Sequence, residues 1–137
     1  MDGEEKITDF ITELECLTPH CAINNAPSDY FTSCVENTLL TVANKDLGVE
    51  IFTKSPKIQL MSKLWAEEIL AKQQINFDEY KTSSPEQRYL NLLQNRPGLI
   101  QRVSPQQLAS YLGIKPQSLS RLRARILEKS TKSYLLA

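Results

Sequence analysis

The sequence predicts an α+β fold that is mainly helical, and three features carry that prediction. Two runs rich in apolar and β-branched residues, Lys6–Ile11 and Cys34–Ala43, are typical of short strands. The segment Pro56–Tyr80 has no internal glycine or proline, which predicts one long helix. Proline is favoured in the first turn of a helix, and it follows a serine or a lysine at four places. These predicted helix starts are Ser55-Pro56, Ser84-Pro85, Ser104-Pro105 and Lys115-Pro116.

The length and composition indicate a globular chain without a membrane span. Its 137 residues suit one ordinary domain or two small ones, and 41% of them are apolar. No apolar run approaches the ~18 residues of a transmembrane helix, and Met1–Lys6 is too acidic for a signal peptide. The three cysteines, Cys16, Cys21 and Cys34, are too few for a disulfide scaffold and favour a reducing cytoplasm.

The net charge of zero conceals two halves of opposite sign. Residues 1–84 contain seven lysines and fourteen acidic residues, whereas residues 85–137 contain nine basic residues, including all six arginines, and only two acids. Such asymmetry favours a polyanionic partner for the second half. A basic face that is merely solvated is the alternative.

The serine-proline steps also carry capping signals. In the pairs Ser84/Gln87 and Ser104/Gln107, each side chain can satisfy the backbone donor of the other, as in a capping box. The first pair begins a helix that should end before Arg96-Pro97-Gly98. After this break, Leu99–Val103 is expected to be a short extended piece.

Apolar residues follow two neighbouring stripes along Pro56–Tyr80, after a short helix that is predicted between Asn44 and Ser55. Together the stripes form a face broader than one small neighbour would cover. We therefore expect this helix to pair with its copy in a homodimer, although a core helix of a single domain is the alternative. The predicted interface residues are Ile58, Met61, Leu64, Trp65 and Ile69.

The segment from Ser104 to Leu127 predicts a helix-turn-helix. Two short helices that cross through a tight turn need a small residue where they approach, and Ala109 supplies it. They also need a residue that tolerates a positive φ at the end of the first helix, and Gly113 supplies that. The positions predicted to point into the shared core are Leu108, Leu112, Ile114, Leu119 and Leu122, with Ile126 continuing the stripe.

The opposite face of the second helix carries side chains suited to DNA. Glutamine can pair with adenine and arginine with guanine in the major groove, which assigns Gln117 and Arg121 to bases. Ser118 and Arg125 lie on the same face and suit phosphates. Lys115 cannot act as a helix cap, because its side chain accepts no hydrogen bond, but its positive charge suits a phosphate. A helical hairpin with a soluble, arginine-rich face is the alternative.

Three stretches of the second half, in this order and spacing, resemble the Crp/Fnr (cyclic-AMP-receptor-like) family of bacterial transcription regulators. They are Arg88-Tyr89-Leu90, Leu108–Ile114 and Pro116–Arg123. The resemblance implies a dimer that places two recognition helices, residues 116–127, in successive major grooves of double-stranded DNA, with RNA polymerase as a further partner. It implies base contacts from Pro116, Gln117 and Arg121. Because proline offers no hydrogen-bond donor, base reading would depend on Gln117 and Arg121. It also implies phosphate contacts from Ser104, Lys115 and Ser118.

The resemblance also implies a division of the chain. Residues 1–54 would be part of a cyclic-nucleotide-binding-like β-roll, 55–81 the dimerisation helix, and 82–137 the DNA-binding domain. The early strands of a full roll are missing, so we expect a sensor region truncated at its start, and no wing after the recognition helix. The family's phosphate clamp needs an Arg-Ser pair where this chain has Pro27-Ser28, so cyclic nucleotide binding is not expected.

Other classes of function find less support in the sequence. Cys16, His20, Cys21 and Cys34 match no zinc or iron–sulfur spacing. His20 is the only histidine, so no catalytic triad is recognisable. We therefore expect no metal, no cofactor and no enzymatic activity. The alternative function is a truncated protein-interaction module, which pairs helix 56–80 with a full-length regulator and silences it.

Overall fold

The computed structural model describes residues 5–17, 21, 26–42 and 45–135, and the regular elements among them are all helical. The helices are α1 (Lys45–Lys54), α2 (Pro56–Thr82), α3 (Pro85–Asn95), α4 (Pro97–Arg102), α5 (Pro105–Tyr111) and α6 (Pro116–Leu135). The chain divides into two units, one formed by residues 1–12 and 80–137 and the other by residues 13–79. None of the helices within the described ranges is long and apolar enough to cross a membrane.

Proline begins a helix at each of the four predicted starts, because its fixed φ suits the first turn and its missing N–H leaves no donor unpaired there. Pro97 does the same for α4, so the prediction of an extended Leu99–Val103 is wrong. Leu99 is buried in the core from this short helix. The last helix continues to Leu135, well past the predicted end of the recognition helix at Leu127.

The predicted α+β class and its partial β-roll are wrong, because the described residues contain no strand. A strand needs a neighbouring strand to receive its backbone hydrogen bonds. Lys6–Ile11 instead gives its Ile7 N–H to the Ser110 hydroxyl at 2.9 Å. Residues 34–42 are exposed throughout. Their β-branched composition alone does not hold a sheet together.

The hydrophobic core of the described residues lies entirely in the first unit, where helices α3 to α6 pack together. Its buried side chains are Phe10, Tyr89, Leu92, Leu99, Leu108, Ala109, Leu112, Leu119 and Leu122. Between residues 13 and 79, by contrast, no described side chain is buried. The described part of the second unit, which contains α1 and most of α2, therefore has no core of its own in the single chain.

Residues 5–12 form a strap without regular secondary structure on the helical unit. Phe10 is buried, with its ring centroid 5.2 Å from that of Tyr111. Arg96 donates from Nη2 to the Phe10 carbonyl at 2.9 Å, and the Ser110 hydroxyl donates to the Glu5 carbonyl at 3.2 Å. The side chains of Arg96 and Ser110 thus bond to backbone groups of the strap, which a neighbouring strand would do in a β-ladder.

Candidate nucleic-acid interface

The turn between α5 and α6 has the backbone geometry that a helix-turn-helix requires. Gly113 has φ +69°, as predicted from its place at the end of the first helix. Its N–H donates to the Ser110 carbonyl and the Ile114 N–H to the Ala109 carbonyl, both at 3.0 Å, which is the pairing of a Schellman motif. A Cβ at residue 113 would lie 3.3 Å from the Tyr80 hydroxyl, so the site also leaves little room for a side chain.

The two helices share the core that the spacing predicts. Leu108 and Ala109 on α5 are fully buried, and Leu119 and Leu122 on α6 are buried against them. Leu112 is also buried, while Ile114 and Ile126 pack at the margin of the same cluster. This core fixes which face of α6 points outward, because residues three and four apart share a helix face.

The start of α5 is held by a complete capping box. The Ser104 Oγ accepts from the Gln107 N–H at 3.2 Å, and the Gln107 Oε1 accepts from the Ser104 N–H at 2.9 Å. At the start of α3, Ser84 accepts from the Gln87 N–H at 3.2 Å, but the Gln87 side chain donates to Asn91 instead. Ser104 keeps its own hydroxyl proton for another acceptor, such as a phosphate oxygen.

The predicted DNA contacts at the start of α6 are all exposed. They are Lys115, Pro116, Gln117, Ser118 and Arg121, and together they form what we call the recognition face. Within the described part of the chain, the side chains of Lys115, Gln117 and Arg121 form no hydrogen bond or ion pair. These polar groups are therefore available to an external partner.

Arg125, predicted to bind phosphate, has an internal partner that the sequence did not reveal. Its Nη1 lies 3.6 Å from the Oε2 of Glu86, and the Lys129 Nζ lies 2.8 Å from the Oε1 of the same carboxylate. The hydrogen bond from Lys129, with the positive charges of Lys129 and Arg125, lowers the pKa of Glu86 below its ordinary value, against a smaller opposing effect of desolvation. Glu86 therefore holds two cations of α6 against the start of α3.

Arg88 has a structural role beneath the turn that its place in the sequence does not indicate. Its Nη1 donates to the carbonyls of Tyr80 and Ser83 at 3.2 and 2.8 Å, and its Nη2 donates to the Leu112 carbonyl at 2.9 Å. The guanidinium also lies 4.6 Å from the centroid of the Tyr80 ring. Arg88 thus joins the last turn of α2 to the end of α5.

Two more arginines contribute to the fold and not to the recognition face. Arg96 binds the strap, and Arg123 donates from Nε to the Tyr89 hydroxyl at 3.1 Å. The count of six arginines therefore overstates the positive charge that is free to bind a polyanion. On α6, the exposed arginines are Arg121 and Arg125.

The apolar stripe of α2 is open to solvent. The predicted interface residues are all exposed, Trp65 by 51% and Met61 by 60% of its surface, and α2 has no buried residue. Ion pairs between Lys72 and Glu68, and between Lys63 and Glu67, lie along the helix itself. The structure thus shows an uncovered apolar surface at the predicted dimer interface.

The cysteines form no ligand cluster with the rest of the described residues. Cys16 and Cys34 are exposed, Cys21 is half-buried, and all three are free thiols. His20, the remaining candidate ligand, lies outside the described residues. Where the structure is described, no group of three or more His, Cys, Asp or Glu side chains could hold a metal ion.

Compared with models of known protein families, with curated proteins and with solved structures, the chain matches none of them.

Proposed function

We propose that the chain is a dimeric, sequence-specific DNA-binding transcription regulator of the helix-turn-helix type, similar in its second half to Crp/Fnr regulators. One observation carries this proposal: a tightly packed helix-turn-helix presents Gln117 and Arg121 to solvent without partners among the described residues. A helical hairpin with a soluble, arginine-rich face would have the same turn and packing, so the DNA titration below discriminates between the two.

In this proposal the first half of α6 lies in the major groove. Gln117 reads adenine and Arg121 reads guanine, each through two hydrogen bonds to the base edge. Lys115, Ser118 and Ser104 bind phosphates and fix the register of the helix, as backbone contacts generally do. The protein acts on DNA in the cytoplasm without catalysing a reaction, and RNA polymerase is a further partner.

The dimer in this proposal forms through α2. Burying apolar surface contributes roughly 25 cal/mol per Å², and the uncovered stripe includes Leu64, Trp65 and Ile69. A pair of subunits would bring two recognition helices to half-sites about one turn of DNA apart. Sedimentation equilibrium of the parent and of Trp65→Glu tests this arrangement, because a charge in the stripe should leave a monomer.

Selection of bound duplexes from a random pool, followed by titration of the selected site, tests the DNA-binding proposal. Arg121→Ala should cost about 1–3 kcal/mol at that site and relax selectivity at one base pair. Lys132→Ala removes a cation about three turns further along α6 and is the matched control, for which we expect a smaller loss and unchanged selectivity.

Lys115→Ala separates the phosphate contact from base reading. It should weaken binding to all sequences alike and flatten the salt dependence by about one unit of slope. If Arg121→Ala and Lys115→Ala both bind DNA like the parent, the proposed placement of α6 in the groove is wrong.

The open face of α2 also favours a second function, in which this chain pairs with a longer regulator and silences it. Gel filtration and a mobility-shift assay on the protein alone discriminate between the two functions. A homodimer that shifts DNA supports the first. A chain that does not bind DNA by itself but joins a longer relative through residues 56–80 supports the second.

A further inference from the structure

Two of the basic side chains on α6 are held by one carboxylate. Arg121, Arg125 and Lys129 follow one another at intervals of four residues, so they form a row along the helix. Arg121 has no partner among the described residues, whereas Arg125 and Lys129 both contact Glu86 from the first turn of α3. Within the described structure the first cation of the row is thus unpaired, and the other two share one carboxylate, which offsets one of their two positive charges.

The surroundings of Glu86 favour its ionised form. It lies in the first turn of α3, where the helix dipole stabilises a negative charge. Its side chain is 25% exposed, while Arg125 and Lys129 are 57% and 64% exposed. The carboxylate is therefore the sheltered member of the cluster, and the two cations are exposed to solvent but directed to Glu86.

Glu86 also lies beside one of the predicted phosphate contacts. An open cleft of about 320 Å³ separates the start of α3 from α6, and it is lined by Ser84, Glu86, Ser118 and Arg125 among others. A DNA phosphate that reached Ser118 and Arg125 there would meet the charge of Glu86. Carboxylate and phosphate would then compete for the same guanidinium, because both accept the same type of charge-assisted hydrogen bond.

We infer that Glu86 is an affinity-determining residue, which withholds Arg125 and Lys129 from the DNA backbone and so limits sequence-independent binding. This inference rests on the proposed DNA-binding function. With less binding contributed by phosphates, a larger share of the binding free energy comes from the base contacts of Gln117 and Arg121. Discrimination between sites depends on that share, since phosphate contacts carry no sequence information.

The test compares Glu86→Gln with the parent on a DNA duplex of mixed sequence across a range of salt concentrations. Glu128→Gln is the matched control, because Glu128 is the other acid of residues 85–137, is exposed on α6 and has no partner among the described residues. Both variants remove one negative charge, but only Glu86→Gln releases two cations. Circular dichroism checks that each variant is folded, which we expect because the exposed ion pairs of Glu86 contribute only a small part of the stability.

We expect Glu86→Gln to bind the duplex more tightly than Glu128→Gln, with a steeper dependence on salt. Every additional cation that binds a phosphate steepens the dependence of log affinity on log salt by about 0.9. The affinity advantage of Glu86→Gln over Glu128→Gln should therefore shrink roughly threefold for each such cation between about 50 and 200 mM salt. In a background of Arg125→Gln and Lys129→Gln, the effect of Glu86→Gln should fall to that of the control, since no cations remain to be released.

Each other result has a definite meaning. Equal effects of the two Gln variants on affinity indicate a general charge effect and overturn the inference. Weaker binding by Glu86→Gln shows that the carboxylate positions the cations for DNA, which also overturns it. If the parent and both variants fail to bind any duplex, the proposed function is itself wrong and the inference fails with it.

Discussion

The Nη2 atom of Arg88 lies 2.9 Å from the carbonyl oxygen of Leu112, the C-cap of the first helix of the helix-turn-helix. The same guanidinium reaches back to the carbonyls of Tyr80 and Ser83. Three carbonyls on two segments of chain therefore share one planar group. A lysine in its place would keep the charge but could not present donors in the same fixed directions.

Arg88→Lys should consequently lower the free energy of unfolding by about 1–3 kcal/mol, because carbonyl acceptors that are partly removed from water lose their donors. Urea unfolding measures the change. Arg121→Lys is the control, and it should stay within about 0.5 kcal/mol of the parent because Arg121 is exposed and unpartnered in the described structure. Equal stability of the two variants would show that Arg88 contributes nothing to the turn.

Gly113→Ala should destabilise the protein by about 1–2 kcal/mol, because φ +69° is strained for a residue with a Cβ. Part of the cost arises from the Tyr80 hydroxyl, 3.3 Å from the new Cβ, so adding Tyr80→Phe should recover some of the loss. Gly98→Ala is the matched control. It meets no atom within 4 Å and lies in α4, where alanine is favoured over glycine, so thermal unfolding should show a neutral or stabilising change.

Ser104 has two predicted roles, and one substitution separates them. Asp is as good an N-cap as serine, so Ser104→Asp should keep the stability of α5. Its negative charge should repel a phosphate, however, and weaken DNA binding. Ser55→Asp makes the same change at another serine-proline helix start, for which no phosphate contact is predicted. Titration of duplex DNA with both variants tests the phosphate contact. Equal affinities of the two variants would show that Ser104 does not contact DNA.

Phe10→Ala should cost about 3–5 kcal/mol, the usual range for a buried phenylalanine, because the strap contributes this ring to the core. Ile11→Ala, at a neighbouring residue that is 44% exposed, should cost much less. Urea unfolding of the two variants provides the comparison. Similar small losses would indicate that residues 5–12 are not part of the folded unit.

The pH dependence of stability should report the charge cluster at Glu86. Its pKa in the folded protein is lowered by the Lys129 hydrogen bond and by the two cations, so the ionised form stabilises the fold. That contribution is present above the ordinary pKa of 4.5 and is lost as the pH falls through the lower folded-state value. The parent and Glu86→Gln should therefore differ in thermal midpoint at neutral pH and converge in acid. Lys129→Gln should reduce this pH dependence.

Local sequence signals predicted the helix-turn-helix well, because they act within a few residues. The positive φ of Gly113, the capping box of Ser104 and the buried spacing of Leu108 and Leu119 are all short-range effects. The starts at Pro56, Pro85, Pro105 and Pro116 followed from proline for the same reason. Such signals require no knowledge of distant parts of the chain.

Long-range pairings could not be predicted in the same way. Lys6–Ile11 has the composition of a strand, but Ser110 and Arg96, about a hundred residues away, determine what its backbone binds. In the sequence, Glu86 is an ordinary acidic residue in the first turn of a helix. Only the packing of α6 brings Arg125 and Lys129 beside it. Composition likewise counted Arg88 and Arg123 as free surface charge, although Arg88 donates to the Leu112 carbonyl and Arg123 to the Tyr89 hydroxyl.

Because no described side chain between residues 13 and 79 is buried, the amide protons of α2 in an isolated chain are protected by little beyond the helix itself. Those of α5 and of the first half of α6, where Leu119 and Leu122 are buried, should exchange mainly when the packed unit opens. Dilution of a dimer should therefore accelerate deuterium uptake along α2 while leaving the helix-turn-helix unchanged. Affinity for a two-part operator would then vary with the cellular abundance of the protein.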